Sequence, residues 1–499
     1  MDMTKNEKFD WVAILPYIFS VLFLGLLFVV YMKYPFLSVD EGFTRGFMDF
    51  SIAEMIKLTA MDVHPPLYYI IAMAFVKLCH ALSLNFNLIQ MMKFPSIIPY
   101  LILFIFSLTK LRKEYGLLMG GLFSLTLIVA SDFFIQYITA RMYAWAMLFL
   151  VISFFYVKDI LEKNDLKSWI LFTIFSVLGA YTHYFTGVSS IVIYLMLFIR
   201  ILANRNDGAI KDNLKKFFIS VAVGFVLYLP WLFVLIDQMA YVQGSYWVDP
   251  ISVKNITYFF SYCLTSASHN QIVLIGSLII VVAIIALLFK KFISTRDNDD
   301  LYLLMGVFVF VGTLAVGVLF SIFYKPILID RYLVPSIGVF WLCVSVKLSR
   351  LNLKKSLALL IILMILIVGA FNVYHEIKDI QKTNDNTIKE ANVLDKINNN
   401  NSIVIFDTDN HYIRTHMDLD NIYKGYDNVS IIKYQHNLTY KFDGLEHTAF
   451  VIPDDIIKNP DKDVYFMRFY TMPAKFPNNV NATKVGTAQH ATFYKLKMK

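Results

Sequence analysis

The chain is 499 residues long, 58% hydrophobic and 16% aromatic, with only 16% charged residues and a formal net charge of +8. That balance excludes a soluble globular enzyme of this size and leaves a protein that crosses the bilayer many times. The positive charge does not point to nucleic acid, because basic residues gather in short loops between apolar runs, as the positive-inside rule requires of cytoplasmic loops.

Runs near the roughly 20 apolar residues needed to cross a bilayer core occur at about 11–32, 88–110, 115–131, 138–157, 168–184, 186–203, 217–236, 271–289, 301–323, 331–348 and 356–374. The first is too long for the apolar core of a signal peptide and is read as a retained span. A twelfth run, Pro65 to Ser83, is long enough to cross but holds Lys77 and His80 and opens on two prolines. Loop charge decides against it. With eleven spans, the basic loops around Lys110–Lys113, Lys158–Lys167, Arg200–Lys216, Lys290–Arg296 and Lys347–Lys355 all fall inside; counting the twelfth inverts every one of them. The N-terminus is therefore expected in the cytoplasm, and the segment after residue 374 outside. The Lys/Asn/Ile-rich composition points to a prokaryotic plasma membrane.

This topology sends the unusual polar stretches to one outer face. They are the loop 33–87, the turn around Arg141, the turn around His183, the long loop from Asp237 to Asn270, and the KPILIDRY turn around Arg331. The first carries side-by-side carboxylates at Asp40 and Glu41, then Asp62 and His64 ahead of Pro65-Pro66. Carboxylates held beside hydrocarbon are costly without a task or a partner. The prolines fix φ and lack donors, which suits entry into a helix. Cys79, Cys263 and Cys343 form no framework; Cys343 lies in an apolar run as an inert thiol, and pairing of the other two on the outer side stays open.

The order of these motifs resembles the GT-C membrane glycosyltransferases, in the branch of protein O-mannosyltransferases and the bacterial aminoarabinose transferase. The resemblance rests on Asp40-Glu41, the DVHPPLYY stretch, Ala140-Arg141-Met142-Tyr143, Thr182-His183-Tyr184-Phe185 and Arg331-Tyr332, and covers about residues 11 to 350. It implies an α-helical polytopic membrane domain, 1–374, whose catalytic external loop is 33–87; the remainder, 375–499, matches no motif of the family and reads from its own composition as a soluble extracytoplasmic α/β domain.

The implied reaction moves a sugar from a polyprenyl-phosphate donor to an acceptor hydroxyl on a glycan, lipid or protein at the outer face. Such a site needs a base for the hydroxyl and cations for the phosphate. Asp40 is the candidate base; Glu41 either assists it or is structural. Arg331, Tyr332 and Lys325 are candidate phosphate ligands, with Arg141 and Tyr143 beside them, since guanidinium matches phosphate bidentately. An arginine at a boundary also snorkels without catalytic duty. Asp62, His64, Tyr68, His183 and Tyr184 are candidate pocket residues, and Lys93 is either an interfacial anchor or a further cation. Asp62 and His64, with His269, offer oxygen and imidazole ligands to a possible divalent cation, although no spacing demands one. The 237–270 loop, about 34 residues and rich in aromatics, suits a lid, and an aromatic belt explains much of the same composition.

Strand-like runs at SIVIF, VSIIKY, AFVIP, VYFMRFY and ATFYKLKM, preceded by a helical IKEANVLDKI, give the last 125 residues an α/β reading. Asp407 and Asp409 there are read as turn residues, because no glycine-rich phosphate loop accompanies them. A lipid-linked sugar flippase or transporter is the competing class, and is expected to show hydropathy repeats and midplane charges. A polyprenyl-linked glycan ligase or polymerase is the nearer chemical alternative.

Overall fold

The structure, a computed structural model, describes residues 10–34, 37–48, 50–204, 210–244, 248–266, 271–351, 354–397, 402–406, 430–432, 463–469, 479–487 and 491–499. Among them nine helices are long and apolar enough to cross a membrane: Trp11–Lys33, Leu88–Tyr115, Tyr143–Lys163, Tyr184–Ala203, Ile210–Ala240, Gln271–Thr295, Asn298–Phe323, Asp330–Ser349 and Lys355–Asn386. Two more expected spans appear as the shorter helices Leu117–Val129 and Leu166–Thr182. The excluded twelfth run forms a third short helix, Leu67–Ala81.

Of the boundaries that differ from the reading of the sequence, one bears on the site. The span expected over 138–157 starts at Tyr143, because Ser131 to Met142 fold into a compact turn. Ser131 takes φ 54° and bridges to Thr265, and Ile138 and Arg141 donate backbone hydrogen bonds only three and two residues back. An apolar stretch here is used for burial against the protein rather than for crossing.

The chain divides into two compact units. The larger takes Met1–Val30, Ser51–Lys77 and Lys93–Glu376. Its centre is the pair of helices Tyr143–Lys163 and Val334–Ser349, lined by residues such as Met147, Val151, Ile337 and Phe340, all nearly inaccessible. The helices Ile210–Ala240 and Gln271–Thr295 bury only 11% and 22% of their most apolar windows, so their Leu, Ile, Val and Phe side chains face outward, as helices do when lipid is the solvent. Close helix contact is steric at Gly179: a Cβ there would stand 2.6 Å from Thr186 Cγ2 across the turn at His183.

The smaller unit takes Tyr31–Phe50, Leu78–Met92 and Ile377–Lys499. The last helix is continuous from Lys355 to Ile397, so IKEANVLDKI prolongs the final span instead of forming a separate element. Among the described residues five strands follow: β1 Ser402–Phe406, β2 Ser430–Ile432, β3 Asp463–Phe469, β4 Val480–Thr487 and β5 Ala491–Met498. They form one mixed sheet ordered β2-β1-β3-β5-β4, with β1 parallel to β2 and β3, and β5 antiparallel to β3 and β4. Of the strands read from sequence, AFVIP lies outside the described residues, as do Asp407 and Asp409.

Three short helices share one construction. Val39–Phe47, Ile52–Ala60 and Val253–Ser261 are nine residues each and begin with a capping box. Ser38 donates its N–H and Oγ to Glu41 Oε2 at 2.8 and 2.9 Å, Ser51 does the same to Glu54 at 2.9 and 2.7 Å, and Ser252 to Asn255 Oδ1 at 2.9 and 2.5 Å. Helices this short are marginal alone, and the box satisfies donors that the first turn leaves open.

Candidate functional site

Four turns of the larger unit build a polar cluster. The 61–66 turn supplies His64, the 131–142 turn Arg141, the break between Leu166–Thr182 and Tyr184–Ala203 supplies His183, and the 3-10 turn Asp330–Leu333 supplies Arg331 and Tyr332. Pro65 and Pro66 are buried, and the Pro66 carbonyl accepts the Ile70 N–H that opens the helix Leu67–Ala81.

Arg141, only 3% exposed, is the centre. One terminal nitrogen donates to the Tyr69 hydroxyl at 3.2 Å, and the other stands 2.6 Å from His64 Nε2. Guanidinium is a donor only, so His64 accepts on Nε2 and is neutral. Burial pushes its pKa well below the ordinary value, and the charge of Arg141, with His183 and Arg331, adds to this. Burial likewise lowers His183 to about 3, reinforced by Arg141 and Arg331. The two guanidiniums therefore act on the same two imidazoles, and neither imidazole carries charge at neutral pH. Around them the Tyr332 ring lies 4.8 Å from His183, 5.2 Å from Phe185 and 6.4 Å from Tyr143.

This cluster stands at the head of an apolar cavity of about 600 Å³. His64, His183 and Tyr332 line its polar end; Val188, Phe225, Leu235 and Phe320 line its body, which reaches Ser176 and Tyr194 within the spans. From His183 to Tyr194 the helix advances about 16 Å at ~1.5 Å per residue, so the cavity runs along about half of the apolar helix Tyr184–Ala203.

The other candidates are placed as follows. Tyr184 receives a hydrogen bond from Trp231 Nε1 at 3.0 Å and donates to Gln238 Oε1, and Asp62 is within electrostatic reach of its hydroxyl. Tyr68 is fully buried with its hydroxyl 3.0 Å from Ser96 Oγ; its neighbour Tyr69, not singled out from the sequence, is the one that meets Arg141. Lys325 begins the extended stretch before Asp330, half-buried, with its N–H on the Phe320 carbonyl. Lys93 is 3% exposed, at the end of the helix Leu88–Lys93. Asp40 and Glu41 belong to the smaller unit, on the first turn of Val39–Phe47. Asp40 is half-buried, and Glu41 is buried in its capping box.

Nε2 of His64 faces the Arg141 guanidinium and so is not offered to a divalent cation. No group of three His, Cys, Asp or Glu suited to a metal occurs among the described residues, and His269 lies outside them.

A second polar group adjoins Arg331. Asp132 accepts from Gln136 Nε2 at 2.5 Å, and burial raises its carboxyl to about 6 while nearby Asp330 adds to the rise and Tyr262 opposes it. Asp330 accepts from Tyr258 at 3.1 Å and from the Arg331 N–H at 2.7 Å. Asp132 sits inside the SDFF stretch of a recognised turn, yet nothing in a single sequence separates it from a turn-former.

No known family profile matches the chain, and no curated protein does. Solved structures do. The crystal structure of ArnT from Cupriavidus metallidurans in the apo state is 12% identical, with a TM-score of 0.56 over 96% of this chain and 97% of that one. ArnT from the same organism bound to undecaprenyl phosphate is 12% identical, with a TM-score of 0.54 over 96% and 98%. Over its described residues the chain has the GT-C fold of those structures.

Proposed function

We propose that this GT-C protein is a multi-pass membrane glycosyltransferase that takes its sugar from a polyprenyl-phosphate carrier at the outer membrane face. The observation that carries the reading is the pairing of Arg141 with His64, with His183 and Arg331 within electrostatic reach, beside an apolar cavity that His64, His183 and Tyr332 line. That is the profile of a ligand with an anionic head and a hydrocarbon tail. The likeness of fold to a protein solved with undecaprenyl phosphate supports it.

The chemistry follows from charge. A sugar linked to polyprenyl phosphate is a phosphodiester with one negative charge; the departing polyprenyl phosphate is a monoester with two. As the acceptor oxygen bonds to the anomeric carbon, the bond from that carbon to the phosphate oxygen breaks and its electron pair leaves with the phosphate. Arg331 and Arg141 then stabilise charge that grows during the step, which is the condition for rate acceleration. Tyr332 and Tyr143 shape the phosphate pocket, and Lys325 adds a cation at its rim. Asp40 takes the acceptor proton, with attack opposite the leaving group and inversion at the anomeric carbon. Glu41 serves the helix that carries Asp40.

The test is incubation of the purified protein with a panel of monosaccharide polyprenyl phosphates, scoring release of polyprenyl phosphate. Turnover with nucleotide sugars and none with the lipid donors overturns the donor assignment.

A further inference from the structure

The turn that carries Asp62 and His64 is braced from outside itself. The helix Ile52–Ala60 ends with carbonyls that its own ladder leaves open. Two of them, Thr59 and Ala60, accept from the side-chain amide of Gln238 at 2.9 and 3.2 Å. Gln238 is 4% exposed and lies on the far stretch of the membrane helix Ile210–Gly244. Its amide oxygen accepts from Tyr184, whose hydroxyl is in turn fixed by Trp231. The Thr59 carbonyl also accepts from the Asp62 N–H at 3.1 Å, so the same oxygen anchors the start of the turn. Four residues after Ala60, His64 meets Arg141. Gln238, Tyr184 and His64 all line the one apolar cavity.

We infer that Gln238 is a positioning residue: by donating to the Thr59 and Ala60 carbonyls it holds the 61–64 turn so that His64 engages Arg141 at the head of the cavity. The inference rests on reading that head as the donor-phosphate site only for its kinetic consequence; the bracing is testable without it. Glutamine is suited to the place because one planar group both accepts from Tyr184 and donates to two carbonyls. Glutamate has the same shape and lacks the donors.

The test compares the full-length wild type with Gln238→Glu and Gln238→Leu in detergent, reading amide hydrogen exchange over residues 59–66 and, separately, donor turnover. In both variants, exchange there is expected to rise about tenfold or more with the helices of the core unchanged, and kcat to fall about 10- to 100-fold with less change in the KM of the acceptor. The glutamate variant alone recovers protection and kcat as pH falls from about 8.5 to about 6, since a buried carboxyl protonates readily and regains one donor. Tyr184→Phe, which leaves the amide bonds to Thr59 and Ala60 in place, gives a smaller rise. Unchanged exchange over 59–66 in Gln238→Glu at high pH overturns the inference, as does identical behaviour of Glu and Leu variants at both pH values. If no protein turns over any lipid donor, the functional reading fails while the exchange result still decides the role of Gln238.

Discussion

His64 Nε2 and a terminal nitrogen of Arg141 stand 2.6 Å apart, so an imidazole serves as the acceptor for a guanidinium between the two turns that carry them. The pair aims the remaining Arg141 donors. Arg141→Ala is expected to slow transfer by about 10²- to 10³-fold, the usual cost of one preorganised donor to developing charge. His64→Leu leaves the guanidinium buried beside a hydrocarbon and costs less. The double variant is expected to lose less than the sum of the two, by about 0.5–3 kcal/mol of coupling. Strictly additive losses in kcat/KM contradict a working pair.

His183 ties stability to pH. Its folded-state value of about 3 lies below the roughly 6.5 of an unfolded histidine. The unfolded chain therefore binds the extra proton between those values. The stabilising contribution is whole above about pH 6.5 and is lost as pH falls towards 3, at up to ~1.4 kcal/mol per pH unit. His183→Gln is expected to flatten the acid limb of a plot of Tm against pH while leaving the region above pH 7 shifted but parallel. An acid limb as steep as the wild type's refutes this.

Asp40 and Glu41 are adjacent carboxylates with different surroundings, and substitutions separate them. Asp40→Asn is expected to lower kcat about 10²- to 10⁴-fold, the range of general-base assistance, with Tm unchanged. Glu41→Gln keeps a side chain that still completes the box with Ser38 and is expected to be nearly silent; Glu41→Ala loses the box, at about 0.5–2 kcal/mol. If Glu41→Gln is inactive and stable, the catalytic carboxylate has been misassigned.

Most of the membrane architecture is legible in the chain because hydrocarbon imposes a simple requirement: a run of apolar residues with its charges at the ends. The distribution of Lys and Arg is the only ground on which the sequence sets Leu67–Ala81 apart from the spans; by length it stands with Leu117–Val129 and Leu166–Thr182. What stays hidden depends on tertiary contact. Residues 138–142 read as span because Ile138 and Met142 are apolar, and only the Ser131–Thr265 bridge shows that they belong to a turn. Strand β4, VNATKVGT, has no sustained apolar alternation; among the described residues it pairs with β5 alone, with a register shift between Lys484 and Gly486. Arg141, His64, His183 and Arg331 are visible as polar residues at span ends, whereas Tyr69 looks the same as Tyr68, and Gln238 looks like an ordinary interfacial glutamine.

Gly317 sets the width of the cavity near Tyr332. A Cβ there would lie 2.8 Å from Phe185 and 2.9 Å from Leu328, inside contact distance of both, and Phe185 packs on Tyr332. Gly317→Ala is expected to displace Phe185, destabilise by about 1–3 kcal/mol and raise the donor KM more than it lowers kcat. A normal donor KM with a lowered Tm places the effect in packing alone.

The three nine-residue helices, each opened by its own serine box, have a bearing on how their segments keep their shape. Because every one of them carries its start signal within its first turn, none borrows it from a neighbour. Each can therefore shift as a preformed rod, at the cost of the contacts along its sides and without the penalty of winding a coil into a helix afresh.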